Sequence, residues 1–298
     1  MKKGILYAIA AYVIWGFFPF YWEKLGHVPA LQVLSHRILW SFLLLFAIIL
    51  ITGQWRAFRQ VAFKRRVLLI YLVSVVLIAI NWLTYVWAIG AGFIIESSLG
   101  YFINPLVSVL LGVVLLRERL RPFQWLPLLL ATGAVVYLTV IYGSLPWIAL
   151  TLAFSFAFYG LVKKKAPLDS LRGLTLETGI LFLPALLFLM FSEWIGKGAF
   201  LHSSASTSLM LVGAGLVTTT PLLLFSAAAP RVSLTTIGIL MYINPTLQFL
   251  LGLFVYHEPF SREQLLGFGI VWLALILFGV EGVLASRRKT LPAEAGYS

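Results

Sequence analysis

The sequence predicts an all-α integral membrane protein: ten transmembrane helices, arranged as two inverted five-helix repeats, with both termini on the cytoplasmic side. Three observations predict it. Of 298 residues, 61% are hydrophobic and 11% are charged, against about 25% charged in an ordinary soluble domain. A phrase of sequence occurs twice, 140 positions apart: Ile103-Asn104-Pro105, Leu110-Leu111-Gly112, Glu118 and Gln124 return as Ile243-Asn244-Pro245, Leu250-Leu251-Gly252, Glu258 and Gln264. The basic residues, finally, collect on one side of the predicted bilayer.

An apolar run of about 20 residues crosses a bilayer as a helix. Ten such runs are present, at 4–22, 31–52, 67–89, 94–116, 122–141, 145–162, 173–191, 207–229, 233–256 and 264–284. Lys2 and Lys3 before an apolar run, with Ala8-Ile9-Ala10, imitate a signal peptide. Its hydrophobic stretch falls short of the roughly 7–15 residues required, so this is an uncleaved first span. The longest links, 53–66, 163–172 and 192–206, leave no room for a soluble domain, and 286–298 reads as a disordered cytoplasmic tail.

Orientation follows from the bias of Lys and Arg toward cytoplasmic loops. With the N-terminus inside, the inner segments hold 18 of the 22 basic residues, among them Arg56, Arg59, Arg117, Lys163, Lys164, Lys165, Arg172 and Arg231. The outer loops hold Lys24, Lys197 and Arg262, and Arg37 lies within a span. The net charge of +12 is therefore a topology signal and not a nucleic-acid surface.

Between 100–124 and 240–264, eight of 25 positions are identical without a gap. Weaker matches extend the repeat: Trp15-Gly16 with Tyr159-Gly160, and Leu34, Ser35 and Phe42 with Leu174, Thr175 and Phe182. The copies are 1–141 and 145–285. Five spans per copy make the second enter the membrane upside down, and inverted repeats of this kind build secondary transporters with a site near the midplane.

Asn104-Pro105 and Asn244-Pro245 fall mid-span. A proline inside a helix removes one hydrogen bond and bends it, which leaves the carbonyls of Tyr101 and Met241 to find other partners. Breaks at matching positions of two repeats point to a binding site, although a kink stabilised by Asn alone gives the same pattern. Helical spacing adds to the patch. Ser97, Tyr101, Asn104 and Ser108 share a face, as do Ser74, Asn81 and Tyr85, and Tyr12, Trp15 and Pro19. Thr218, Thr219 and Thr220 precede Pro221, and Tyr242 and Gln248 flank Asn244. The expected substrate contacts are Tyr12, Trp15, Asn81, Tyr85, Tyr101, Asn104, Tyr242 and Asn244. Amides and aromatics without a central charge pair favour a neutral or zwitterionic solute.

Three ionisable residues lie inside spans, where the default reading is functional. Arg37 and Glu96 would form an outer gate, and Glu177, the counterpart of Arg37 in the other copy, would face inner-cavity water and carry a coupling proton. The alternative is that each snorkels to the surface. Glu118 and Glu258 stand before helices whose N-terminal dipoles they would complement.

No phosphate-binding Gly-x-x-x-x-Gly-Lys motif or zinc-protease motif is present, and the four histidines are dispersed, so neither ATP drive nor catalysis is expected. With no cysteine, disulfides and Cys-ligated metals are excluded. No metal, cofactor or nucleic acid is expected. The partners are a small-molecule substrate, the lipid bilayer and protons, and one chain encloses a site without a dimer.

Ser97-Ser98-Leu99-Gly100-Tyr101-Phe102-Ile103-Asn104-Pro105-Leu106, with Asn81-Trp82, Tyr85-Val86-Trp87-Ala88, Glu118-Arg119-Leu120, Tyr159-Gly160-Leu161 and Leu176-Glu177-Thr178, resembles the RarD-type permeases. These belong to the EamA family of the drug/metabolite transporter superfamily. The resemblance implies the 5+5 EamA fold in a bacterial cytoplasmic (inner) membrane. It also implies export of small amphipathic metabolites, amino acids or drugs, by alternating access; uncoupled exchange of a polar metabolite is the alternative.

Overall fold

A computed structural model describes residues 2–91, 94–142 and 147–255, with scattered positions between 262 and 281. Among the described residues every regular element is helical. In chain order these are α1 Lys2–Gly16, α2 Phe18–Trp22, α3 Ala30–Ile51, α4 Trp55–Ala62, α5 Arg65–Gly90, α6 Ile94–Leu116, α7 Trp125–Tyr142, α8 Trp147–Lys165, α9 Ser170–Trp194, α10 Ala205–Ala228, α11 Leu234–Leu240 and α12 Ile243–Phe254.

Five described helices, α3, α5, α8, α9 and α10, are long and apolar enough to cross a membrane. A bent pair, α1 with α2 and the turn after it, makes a sixth candidate with a 41° bend. Pro19 in the first turn of α2 accounts for that bend: it donates no backbone N–H, and Phe17 leaves the helix immediately before. Shorter apolar helices lie at Gly100–Leu116 and Pro122–Tyr137. The predicted span 264–284 falls largely outside the described residues.

Helix starts follow local chemistry. Asp169, Ser204 and Ser233 accept the backbone N–H groups of Arg172, Thr207 and Thr236, each at 3.0 Å, which satisfies donors that a helix N-terminus leaves open. The link 53–66, read from sequence as a loop, contains α4. Trp55, Phe58, Val61 and Ala62 recur at helical spacing, and Phe58 and Ala62 bury against Ile49, Val67 and Tyr71. Arg56 and Arg59 are exposed on the other side of the helix, the pattern of a helix resting on a bilayer surface.

The Asn-Pro motifs behave differently in the two copies. α6 runs on through Pro105, whereas the second copy breaks between α11 and α12. The Met241 carbonyl, expected to lose its partner to Pro245, instead accepts the Asn244 N–H at 3.1 Å. That turn is what ends α11. Packing is dominated by pairs from opposite halves: α1 with α10 and α12, α3 with α9 and α10, α5 with α8 and α9, and α6 with α8 and α11. Small residues permit the closest crossings. A Cβ on Gly215 would stand 2.5 Å from Trp40 Cβ, and one on Gly238 2.7 Å from the Pro105 carbonyl oxygen.

Candidate functional site

The helix pairs line a central cavity of about 130 Å³. α1 supplies Tyr12 and Trp15, α2 Phe18, α3 Arg37, α5 Asn81, Trp82 and Tyr85, and α6 Tyr101 and Asn104. From the other half α8 supplies Leu152 and Phe156, α10 Thr218 and Leu222, the α11–α12 break Met241, and α12 Asn244 and Gln248. Seven of the eight expected contact residues thus meet in one space. Tyr242 does not: it is buried beside Phe102, to whose carbonyl its hydroxyl donates at 3.2 Å. The one-residue offset from Met241 turns it out of the cavity, since neighbouring helical positions lie about 100° apart.

The polar rim is partly committed. Asn81 Nδ2 donates to the Leu152 carbonyl at 2.9 Å and to Ser155 Oγ at 3.1 Å, tying α5 to α8. Ser108 Oγ donates to Asn104 Oδ1 at 3.4 Å. Tyr85 and Tyr101 share a hydroxyl hydrogen bond. The Tyr12 hydroxyl and Asn244 Oδ1, by contrast, are buried with no hydrogen-bond partner among the described residues. Both residues belong to the cavity lining. The aromatic wall is continuous: Trp15 packs on Tyr12, Phe156 and Phe225 with ring centroids 5.6–6.0 Å apart.

Arg37 stands in this cavity and not at an outer surface. Its Nε donates to Thr218 Oγ1 at 2.9 Å, and its guanidinium carbon lies 4.7 Å from the Trp22 ring centre and 5.2 Å from that of Trp82. Arg37 brings one cation to the cavity lining, which holds no carboxylate among the described residues. The Glu96 side chain, its expected gate partner, lies outside the described residues, as does Ser97.

Glu177 does not face water. Its side chain is 3% exposed and pairs with Lys163, Nζ to Oε1 at 3.1 Å, which is equally buried. Ser74 Oγ donates to the same oxygen at 2.5 Å and the Tyr159 hydroxyl to Oε2 at 3.2 Å. Three helices, α5, α8 and α9, close on this one carboxylate. Lys163 was read from sequence as a cytoplasmic loop cation; it sits instead in the last turn of α8, facing Glu177.

Glu118 also differs from expectation. Arg117 adopts a left-handed backbone with φ of 53°, and the chain folds back so that the Glu118 N–H reaches the Gly112 carbonyl at 2.9 Å. The carboxylate then accepts the N–H groups of Leu234 and Thr235 at 2.7 and 3.0 Å and the Thr235 hydroxyl at 2.8 Å. It caps α11 in the other half, not the helix that follows it in sequence. A Cβ at Gly112 would meet Glu118 Oε2 at 2.7 Å, so a side chain there would have to displace the carboxylate. Lys164 adds a looser contact at 3.9 Å and donates to the Val232 carbonyl.

The residues that sequence reasoning passed over are Trp22, Trp82, Phe156 and Lys163. Trp82 carries a signal, since it precedes Tyr85 by three positions on one helix face. Phe156 and Lys163 belong to apolar and basic runs in which no member stands out.

The sequence model of the EamA-like transporter family matches this chain over residues 2–140 and again over 145–280. An uncharacterized transporter of Bacillus subtilis (strain 168), YojE, is 45% identical over 281 residues, 93% of each chain. Protein RarD of Escherichia coli (strain K12) is 41% identical over 289 residues, 97% of this chain and 98% of the relative. A Pseudomonas aeruginosa relative named chloramphenicol-sensitive protein RarD is 28% identical over 292 residues, 96% of this chain and 97% of the relative. One solved crystal structure, 18% identical, superposes with a TM-score of 0.67 over 93% of this chain and 96% of the other, which shows a shared fold. With relatives above 40% identity along nearly its whole length, the chain belongs to the EamA-like transporter family as a RarD-type multi-pass membrane permease, and not to a family of enzymes.

Proposed function

We propose that this permease is a secondary active exporter of small amphipathic metabolites such as amino acids or drugs. It works by alternating access between two inverted five-helix repeats of ten spans, with both termini inside a bacterial inner membrane. The carrying observation is the cavity itself: its aromatic and amide wall is contributed by both halves. The pairing of helices supports the repeat. Exchanging each span with its counterpart five spans on converts α1–α10 into α8–α5, α3–α10 into α9–α5, and α6–α8 into α12–α1, all observed pairs. The units are 1–141 and 145–285, followed by the tail 286–298. Pro19, Pro105, Pro184, Pro221 and Pro245 supply candidate bending points.

In the proposed orientation the cavity residues lie toward the outer halves of α1, α3 and α5. The Glu118 contact with α11 and the Lys163–Glu177 pair lie on the inner side and close it. Proton coupling rests on Glu177: protonation would remove the charge that holds Lys163, Ser74 and Tyr159 together and release α8 from α9. Arg37 and Glu96 keep a gating role in this scheme.

A specific observation favours an uncoupled exchanger as the second reading. Among the described residues that line the cavity there is no carboxylate and no histidine, so a proton would have to act at a distance from the solute. Inside-out vesicles carrying a pH gradient separate the two. A pH dye is read while amino acids, neutral metabolites and amphenicol-type drugs are added singly. Dissipation of the gradient that requires the protein supports proton-coupled export. Uptake of labelled solute with no response of the dye supports exchange, and no solute movement at all overturns both.

A further inference from the structure

Burying a guanidinium in a membrane protein is costly, and such residues are held where they pair or act. Arg37 has no carboxylate partner in any ion pair among the described residues. What it has is Thr218 at 2.9 Å, which uses one of its five N–H donors. Trp22 and Trp82 lie within 4.7–5.2 Å, close enough to stabilise the cation through their ring faces. Rings stabilise the charge without consuming donors, so among the described residues, which leave out the Glu96 side chain, the rest of the guanidinium edge has no acceptor. Two more polar atoms of the lining residues, the Tyr12 hydroxyl and Asn244 Oδ1, are buried without partners among the described residues.

We infer that Arg37 is the residue that recognises the substrate, and that the substrate class is a small organic acid whose carboxylate docks on the Arg37 guanidinium. Its apolar body lies along Trp15, Trp82 and Phe156, and any hydroxyl or ammonium group it carries donates to Asn244 Oδ1. A fork of N–H donors matches the two oxygens of a carboxylate. A single cation, with no further basic residue among the described lining residues, accommodates one negative charge and not several. This deepens the reading of the cavity as the transport site and rests on it.

The test uses the full-length protein in lipid nanodiscs and calorimetric titration with matched pairs. The probes are 3-phenylpropionate against 3-phenylpropan-1-ol, indole-3-propionate against its alcohol, and L-phenylalanine against phenethylamine. The acids are expected to bind at least tenfold more tightly than the partners lacking the carboxylate. Arg37→Gln is expected to erase that preference, and Arg37→Lys to restore part of it, which a purely structural contact with Thr218 would not require. If Arg37→Gln does not fold, the acid–alcohol comparison in the unaltered protein still decides. Equal binding of acids and alcohols overturns the assignment and leaves the cavity standing as the site. Silence from every probe overturns the assignment together with the cavity reading. Acids that bind without being moved in vesicles overturn transport while Arg37 stands.

Discussion

Lys163 and Glu177 each give up hydration to stand 3.1 Å apart at 3% exposure. Such a pair contributes little net stability, yet losing one partner strands the other and costs about 3–5 kcal/mol. Glu177→Gln is therefore expected to lower unfolding stability by that amount in detergent, and Lys163→Met with Glu177→Gln to recover most of it. Calorimetric or fluorescence-detected unfolding of the three proteins measures this. A double variant no more stable than Glu177→Gln alone contradicts the pairing. The double variant also serves transport: if the coupling proton resides at Glu177, solute movement persists and its dependence on an imposed pH gradient disappears. The sequence marked Glu177 because a lone carboxylate in an apolar span stands out. It hid Lys163, whose neighbours Lys164 and Lys165 make all three look like one cytoplasmic run, and only the rotation of α8 separates them.

At the level of helices, close crossing depends on glycine. Gly215 lets α10 approach α3, where the Ser41 hydroxyl donates to the Gly215 carbonyl at 3.1 Å. Gly215→Ala would drive a methyl group into the Trp40 backbone, 2.6 Å away, and overpacking of this kind costs about 1–3 kcal/mol. Gly133 in α7 meets nothing within 4 Å. Gly133→Ala is expected to raise stability by up to about 1 kcal/mol through helix propensity. The two melting temperatures should move in opposite directions. Helix positions were legible because apolar length and charge bias act over many residues. The α11–α12 break was legible as an Asn-Pro signal, but not its one-sidedness, since Pro105 and Pro245 read identically. α4 was missed because eight residues between basic flanks resemble a link; the period of Trp55, Phe58, Val61 and Ala62 was the available signal. The cavity lining was legible as helix faces, and Tyr242 stands outside it because a position within a broken helix has no single face to read.

Across the whole molecule, Glu118 fastens one half to the other at the start of α11. Three donors on one carboxylate make this contact directional, and charged hydrogen bonds contribute about 1.5–3 kcal/mol each when fully desolvated. On the proposed alternating-access reading and orientation, Glu118→Ala is expected to populate the state open to the cytoplasm. The absence of native cysteine makes this measurable. With Met241→Cys in the cavity, labelling by a membrane-impermeant thiol reagent from the cytoplasmic face should rise several-fold when Glu118→Ala is added. Unchanged labelling would mean that the contact does not hold the inner side shut.

The unequal fate of the two Asn-Pro motifs has a consequence of its own. α6 is continuous through Pro105 and its counterpart is split at Met241, although the local sequences are near copies. On the inverted-repeat reading, handing the split to the first copy and healing the second would turn the permease to face the other compartment while reusing the same kinds of contact. The molecule thus holds a template of its opposite form. The balance between the two forms is set by the places where the copies have drifted apart. Thr246 is one: it accepts from the Trp272 indole at 3.0 Å, whereas the matching Leu106 packs in an apolar cluster. Drift between duplicates, usually read as erosion, would here be the dial that chooses which way the door stands at rest.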